Sequence, residues 1–583
     1  MVEQLTVEFD GASCGVERLT WGQRVIWQAI EEFVPGDEPR SLAFAVDIPH
    51  GIGRAAVLAA VRELLMRHEA LRTTYQRDAA GKPVQIVAGS GRIAIHVDEV
   101  ADVDVPRRRT EVWRRLSRIH FAADGEQLRA SLIESAGRPR VLLVGLSHIA
   151  VDMWSVSRLA GQLNRLLRGQ PAGPTARQPR EQARHERSDA GRRIAERNLR
   201  YWREQIASSP QTLLPRPHRQ AGRWPRRRAV LRSVALGGAL DRLTRTYRLS
   251  PPSVLLAALA FVLAARADDH DRHRFSCLLT VGHRFDPAMR DYIGTTVQHA
   301  LASFEVEPES MVRTARAALP GVLAAARYSQ ADPTEIARLI ERVAADRGIR
   351  PEWVVVNVPG RMPAVGAAAE DRGVSSIEHD APASPVEELP NVEPGLGPCE
   401  LEVVTAGGVT GLELAVDPAV MPPADVEPAL RGLERLLLDA ARGSDPTVAD
   451  AAALLGSRAG TYPGELVRAD NCLVDLTAVA AILAEAAGSP DAAAFLEPAE
   501  GSGGRIVGYV RPGDPGTTPE TLHARCLAAL SARPTAMAPH VYVLCRSAPA
   551  DVGTREGWAM QDVRSRGTGR VPRRAGDEAA ASA

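Results

Sequence analysis

The segment Ser147-His148-Ile149-Ala150-Val151-Asp152-Met153-Trp154-Ser155 carries the side chains best suited to chemistry. Imidazole titrates near neutrality, so a histidine delivered to the end of a strand can take a proton from an attacking nucleophile. His148 directly follows the apolar run Val141 to Leu146, and Asp152 stands four residues further on. The spacing alone leaves a second reading open, in which the two side chains satisfy local polar groups and touch no substrate. No other histidine or cysteine lies nearby at ligand spacing, so no metal site is expected. Neither a Walker loop nor a dinucleotide fingerprint is present, which turns the reading away from nucleotide chemistry.

Several elements must position this segment. Leu128 to Ser135 and Val141 to Ser147, joined through the turn Gly137-Arg138-Pro139, read as a strand hairpin, and Val156 to Leu167 as the amphipathic helix after it. Earlier, Leu19 to Glu32 and Ala55 to His68 show helical periodicity, with a strand over SLAFAVDI between them. A long polar segment precedes Leu128. Residues 169–200 are rich in Pro, Gly and Arg and read as the connection between two lobes. The second lobe follows with strand RAVLRSVAL, helix Leu240 to Tyr247, the buried helix from Pro251, and strands FSCLLTVGHR and WVVVNV. Residues 362–397 read as a long surface loop, and a helix over Asp425 to Ala441 closes the unit. Alternating strands and helices from 464 to about 562 mark a small separate unit. The expected division is 1–180 for the first lobe, 181–456 for the second, 457–563 for the C-terminal unit and 564–583 for a disordered tail.

Composition narrows the function. The 583 residues hold 71 basic and 71 acidic side chains, and this zero balance argues against a chain that coats nucleic acid. Lys82 is the single lysine. The six cysteines lack CxxC or ligand spacing, as expected for a reduced cytoplasmic protein. The opening MVEQLTVEFDG has no apolar core of a signal peptide. The most apolar run, Val254 to Ala265, is too short for a bilayer and reads as a buried helix, so no membrane partner is expected.

Six segments, in order over residues 15 to 456, resemble the motifs of non-ribosomal peptide synthetase condensation domains: LTWGQRVIWQ, RHEALRTTY, SHIAVDMWS, YWREQI with LLPRP, SVLLAALAFVLAAR with VGHRFDPAMRDYIG, and SQADPTE. The resemblance implies an α/β fold of two chloramphenicol-acetyltransferase-like lobes in a V, with a tunnel between them. It implies an acyltransferase that joins a carrier-bound acyl thioester to a small-molecule amine. The thioester would arrive on the phosphopantetheine of a carrier protein acting in trans, with no cofactor held by the chain itself. His148 matches the family's second motif histidine, which orients or deprotonates the amine. Asp152 matches a structural aspartate, paired in the family with the residue matching Arg284. Ser147 stands where the family has a first histidine, and Met153 where it has glycine, and both would line the tunnel. Asn357 resembles a residue on a strand bordering that tunnel. Two other readings stay open: a recruitment module without catalysis, which the changes at Ser147 and Met153 favour, and a coenzyme A-dependent acyltransferase.

The C-terminal unit resembles the small subdomain of adenylation domains through NCLVDLTAV, GGRIVGYV and PTAMAPHVYVL. The family's lysine is missing from Asp551-Val552-Gly553-Thr554-Arg555, and the large adenylation core is absent, so this unit is expected to activate nothing.

Overall fold

The computed structural model describes residues 3–32, 41–174, 176–214, 225–266, 274–358, 384–392, 397–406, 408–456, 465–498 and 504–570.

The run that carries His148 forms the strand Arg138–Ser147, in the five-stranded sheet of the first lobe. Strand order there is Gln4–Phe9, Gly91–Glu99, Leu128–Ser135, Arg138–Ser147 and Ser41–Asp47. Successive side chains of a strand point to opposite faces, and both faces of this one are covered. Leu142, Val144 and Leu146 join the core beneath helices Arg54–Arg67 and Met153–Leu167. Val141 and Leu143 pack on the other side with Val112 and Leu116 of helix Val105–Leu116. That helix fills the stretch read from sequence as merely polar: Val112 and Leu116 are its buried residues, too few to stand out among its arginines.

The second lobe is a seven-stranded sheet ordered Val297–Glu305, Arg274–Gly282, Val354–Asn357, Cys399–Ala406, Val409–Val416, Arg226–Ser233 and Val386–Val392. Helix Pro251–Arg266 is buried from Ser253 to Arg266, which accounts for its uniform apolarity. Among the described residues no single helix is long and apolar enough to cross a membrane.

Three expectations need correction. The boundary at 180/181 cuts through helix Pro179–Arg187, which belongs with the first lobe: Arg180 pairs with Glu69 at 2.5 Å, and Arg184 and Arg187 reach Glu17 at 2.8 and 2.6 Å. The elbow is Ser188, which ends that helix and caps the next, Asp189–Ser208, by accepting the Gly191 N–H. The loop expected over 362–397 contains the strand Val386–Val392; Pro390 is tolerated because this strand lies at the sheet edge. Residues 362–383 and 393–396 of that stretch lie outside the described residues. Finally, the expected tail begins too early, since Val563–Gly567 forms a strand paired with Val541–Cys545. Residues 571–583 lie outside the described residues.

The C-terminal unit has a four-stranded sheet under helices Leu476–Ala487 and Pro519–Ala529, and its core incorporates Ala344 and Ile349 of the second lobe. Arg347 fastens the two together. Its guanidinium donates to the Ile206, Ser209 and Asp470 carbonyls and to the Asp470 carboxylate, each at 2.7 Å. Gln211 adds a donation to the Ala536 carbonyl at 2.9 Å. Arg347→Ala leaves several buried acceptors without donors, so it is expected to lower unfolding free energy by about 3 kcal/mol, read by chemical denaturation.

Candidate active site

His148 is the first residue beyond strand Arg138–Ser147, where the chain turns back on itself through hydrogen bonds from the Ala150 and Val151 N–H groups to the Ser147 carbonyl, at 3.1 and 3.2 Å. Its Nδ1 lies 3.0 Å from the Val151 carbonyl oxygen. A carbonyl only accepts, so Nδ1 carries the hydrogen, and in the uncharged form of the ring the lone pair sits on Nε2. That is the tautomer a general base requires. The ring is half-buried, and neighbouring Ser147 is buried, its N–H held by the Gln127 carbonyl at 3.1 Å.

Asp152 caps helix Met153–Leu167, its Oδ1 accepting from the Ser155 N–H at 2.8 Å. The same Oδ1 takes Arg284 Nη2 at 2.6 Å, and Oδ2 takes the Thr296 N–H and hydroxyl at 3.0 and 2.9 Å. Burial opposes the charge, but the Arg284 guanidinium and the donated N–H groups outweigh it and hold this carboxyl below its ordinary value. Arg284 also donates to the Tyr292 carbonyl at 2.9 Å and to Ser155 Oγ at 2.9 Å. Ser155 Oγ in turn donates to the Gly294 carbonyl at 2.8 Å. The loop bearing His148 is thus pinned to the second lobe by a buried polar cluster in which both Asp152 oxygens and the Arg284 Nη groups are engaged.

Met153 opens the helix with 39% of its surface exposed, so its thioether does not bury itself against the core. Trp154 donates to the Arg290 carbonyl at 3.3 Å and lies under Arg158, whose guanidinium carbon is 5.4 Å from a ring centroid.

Asn357 ends its strand elsewhere on the second lobe's sheet. Register places it in one cross-strand row with Thr280, His299, Glu402 and Glu413, on the face opposite Leu279, Val356 and Leu401 of the core. Asn357 Nδ2 donates to Glu402 Oε1 at 3.2 Å, and Arg228 engages Glu413. Thr296, which touches Asp152, is three residues from His299, or roughly 10 Å at 3.3 Å per residue.

Ser155 and Thr296 were not singled out in the sequence as partners of Asp152. Helix-cap spacing marks Ser155, whereas nothing local marks Thr296. Gly11-Ala12-Ser13-Cys14-Gly15 has the spelling of a nucleophile elbow, but a strand, Gly15–Arg18, follows it, and Ser13 Oγ donates to Glu69 at 3.1 Å. Among the described residues no group of three or more His, Cys, Asp or Glu could hold a metal ion.

With this geometry in place, comparison with known proteins shows what the first half of the chain is similar to. Residues 18–297 match the family described as Condensation domain. That span holds the strand, the loop of His148, Arg284 and Thr296. A stretch of this chain is 28% identical over 188 residues to chondramide synthase from Chondromyces crocatus, covering 30% of this chain and 5% of that synthase. The chain therefore spans a small fraction of that relative. Among solved structures, the SgcC5 protein from Streptomyces globisporus, crystallised with (R)-(-)-1-(2-naphthyl)-1,2-ethanediol and sucrose, superposes with a TM-score of 0.56 at 19% identity, covering 74% of this chain and 100% of that one. A condensation domain that mediates chain release from the enacyloxin polyketide synthase gives 0.56 at 18% identity, covering 74% and 84%. The fold is the mixed α/β fold of condensation-domain structures, with its two chloramphenicol-acetyltransferase-like lobes.

Proposed function

We propose that this chain is an acyltransferase that joins an acyl thioester, carried on the phosphopantetheine of a carrier protein in trans, to a small-molecule amine, forming an amide in non-ribosomal peptide or related specialised-metabolite biosynthesis in the cytoplasm. The observation that supports this most directly is the tautomer of His148, set by the Val151 carbonyl, in a loop pinned between two lobes by Asp152 and Arg284.

In this reading the amine nitrogen attacks the thioester carbon while Nε2 of His148 takes a proton from it. The C–N bond forms, the C–S bond breaks, and the proton passes on to the departing thiolate. Holding both reactants in one passage removes much of the entropic barrier, and the positioned base supplies a further part. Ser147 and Met153 border the passage on the first-lobe side. On the second-lobe side the row from His299 to Glu413, including Asn357, offers donors and acceptors to the amine substrate. The C-terminal unit, fixed by Arg347, serves as a scaffold; Arg555, near the position of the adenylation lysine, is spent on an ion pair with Glu497 at 2.7 Å.

The test is to mix the protein with an acyl-loaded carrier, or with the same acyl group on coenzyme A, and a panel of small amines, and to read amide product by mass spectrometry. Product from the carrier arm supports the proposal. Product from coenzyme A alone moves the assignment to a soluble-thioester acyltransferase. No product, with a tight carrier complex, would leave a recruitment module, the reading that Ser147 and Met153 favour.

A further inference from the structure

The seam between the lobes holds a small cavity separate from His148 and lined largely by polar residues, with a volume near 20 Å³, room for about one water. Helix Trp21–Glu32, the end of helix Pro179–Arg187 and residues 283–298 converge on it. Glu186 stands in its wall, 8% exposed. Its carboxylate accepts the Trp21 N–H at 2.7 Å and Gln182 Nε2 at 2.9 Å, so it closes the start of the opening helix.

Two lining groups have no partner. Gln298 donates its Nε2 to the Ala331 carbonyl at 2.8 Å, which fixes the amide and points Oε1 elsewhere; that oxygen is buried and unpaired. Thr295 Oγ1 is buried and unpaired as well. The cavity thus brings two unpaired buried polar groups into one lining with a carboxylate, groups that water admitted there can hydrogen-bond.

We propose that Glu186 is a proton-operated latch on the interlobe seam: uptake of one proton by its carboxylate tightens the contact between the lobes, and loss of that proton lets water in and loosens it. Burial is the largest influence on this group and pushes its pKa up to about 7, against an ordinary 4.5. A carboxyl that binds its proton more tightly when buried than when hydrated is linked to closure in that sense, so the seam tightens as pH falls from about 7 towards 4.5. The neighbours do not reverse this. Arg24, paired with Asp332, pulls the value down and Asp332 pushes it up. His283, hydrogen-bonded to Ser329, is held by burial at about 4, and Tyr292 is pushed well above its ordinary value, so both stay neutral across the window. The latch reaches the active site because Thr296 both lines this cavity and donates to Asp152.

Hydrogen–deuterium exchange of the full chain tests the latch without any substrate. After correction for intrinsic exchange, peptides containing Trp21 and Thr295 to Gln298 are expected to be about 10- to 100-fold better protected at pH 5.5 than at pH 8.5. A peptide from helix Leu476–Ala487 serves as the control that shows no such step. Glu186→Gln, always uncharged, should be equally protected at both pH values, at the level of the acidic wild type. Glu186→Asp, which keeps a titrating group, should retain a step. Wild-type protection that is flat or falls on acidification overturns the proposal, as does a step that survives in Glu186→Gln.

Discussion

His148→Ala is expected to lower the rate of carrier-dependent amide formation by about 10²- to 10⁴-fold, the range for loss of a positioned general base. The direction follows from the local chain. The Val151 carbonyl can only accept, so it places the imidazole hydrogen on Nδ1 and the proton-accepting lone pair on Nε2. Alanine removes that lone pair and leaves the amine to lose its proton to solvent. Because the ring is half-buried and lies past the end of a strand held by its own ladder, the thermal midpoint should move far less than the rate. Single-turnover measurement with pre-loaded carrier separates the chemical step from carrier docking. An unchanged rate in a folded variant would move the role of the site from base catalysis to substrate positioning.

Arg284→Ala should be the most damaging single change to stability near the site, at about 3–5 kcal/mol. Asp152 and Arg284 have side chains only 5% and 7% exposed, so removing the guanidinium strands a buried carboxylate. It also leaves the Tyr292 carbonyl and Ser155 Oγ short of a donor. Denaturant titration measures the loss. The double variant Asp152→Asn with Arg284→Met should recover part of it, because two uncharged side chains no longer leave a lone charge buried. The pH dependence has a definite sign. A carboxyl held below its ordinary value stabilises the folded chain above pH 3.8, and that contribution fades as pH falls lower, through the depressed value.

The parts of the site that lie close together in sequence were the legible ones. A strand buried on both faces leaves a continuous apolar run, and Val141 to Leu146 is one, so the delivery of His148 could be read directly. An N-cap aspartate followed three residues later by serine marks the helix start. The seam was not legible, because Trp21, Glu186, Thr295 and Gln298 come from segments far apart in the chain and none has a local pattern. Helix Val105–Leu116 was missed because its exposed face, dense with arginine, outweighs the two buried apolar residues. The domain boundary was misplaced for a related reason: composition changes gradually through residues 169–200, whereas ion pairs assign the helix Pro179–Arg187 to the first lobe.

The elbow at Ser188 has a consequence for building chimaeras. A recombinant exchange of first lobes that crosses over at the compositional break would separate Arg184 and Arg187 from Glu17, and Glu186 from the backbone of Trp21. Crossing over at Ser188 instead transfers each of those partners as a set, and the incoming segment then needs only a residue there that can end one helix and begin the next.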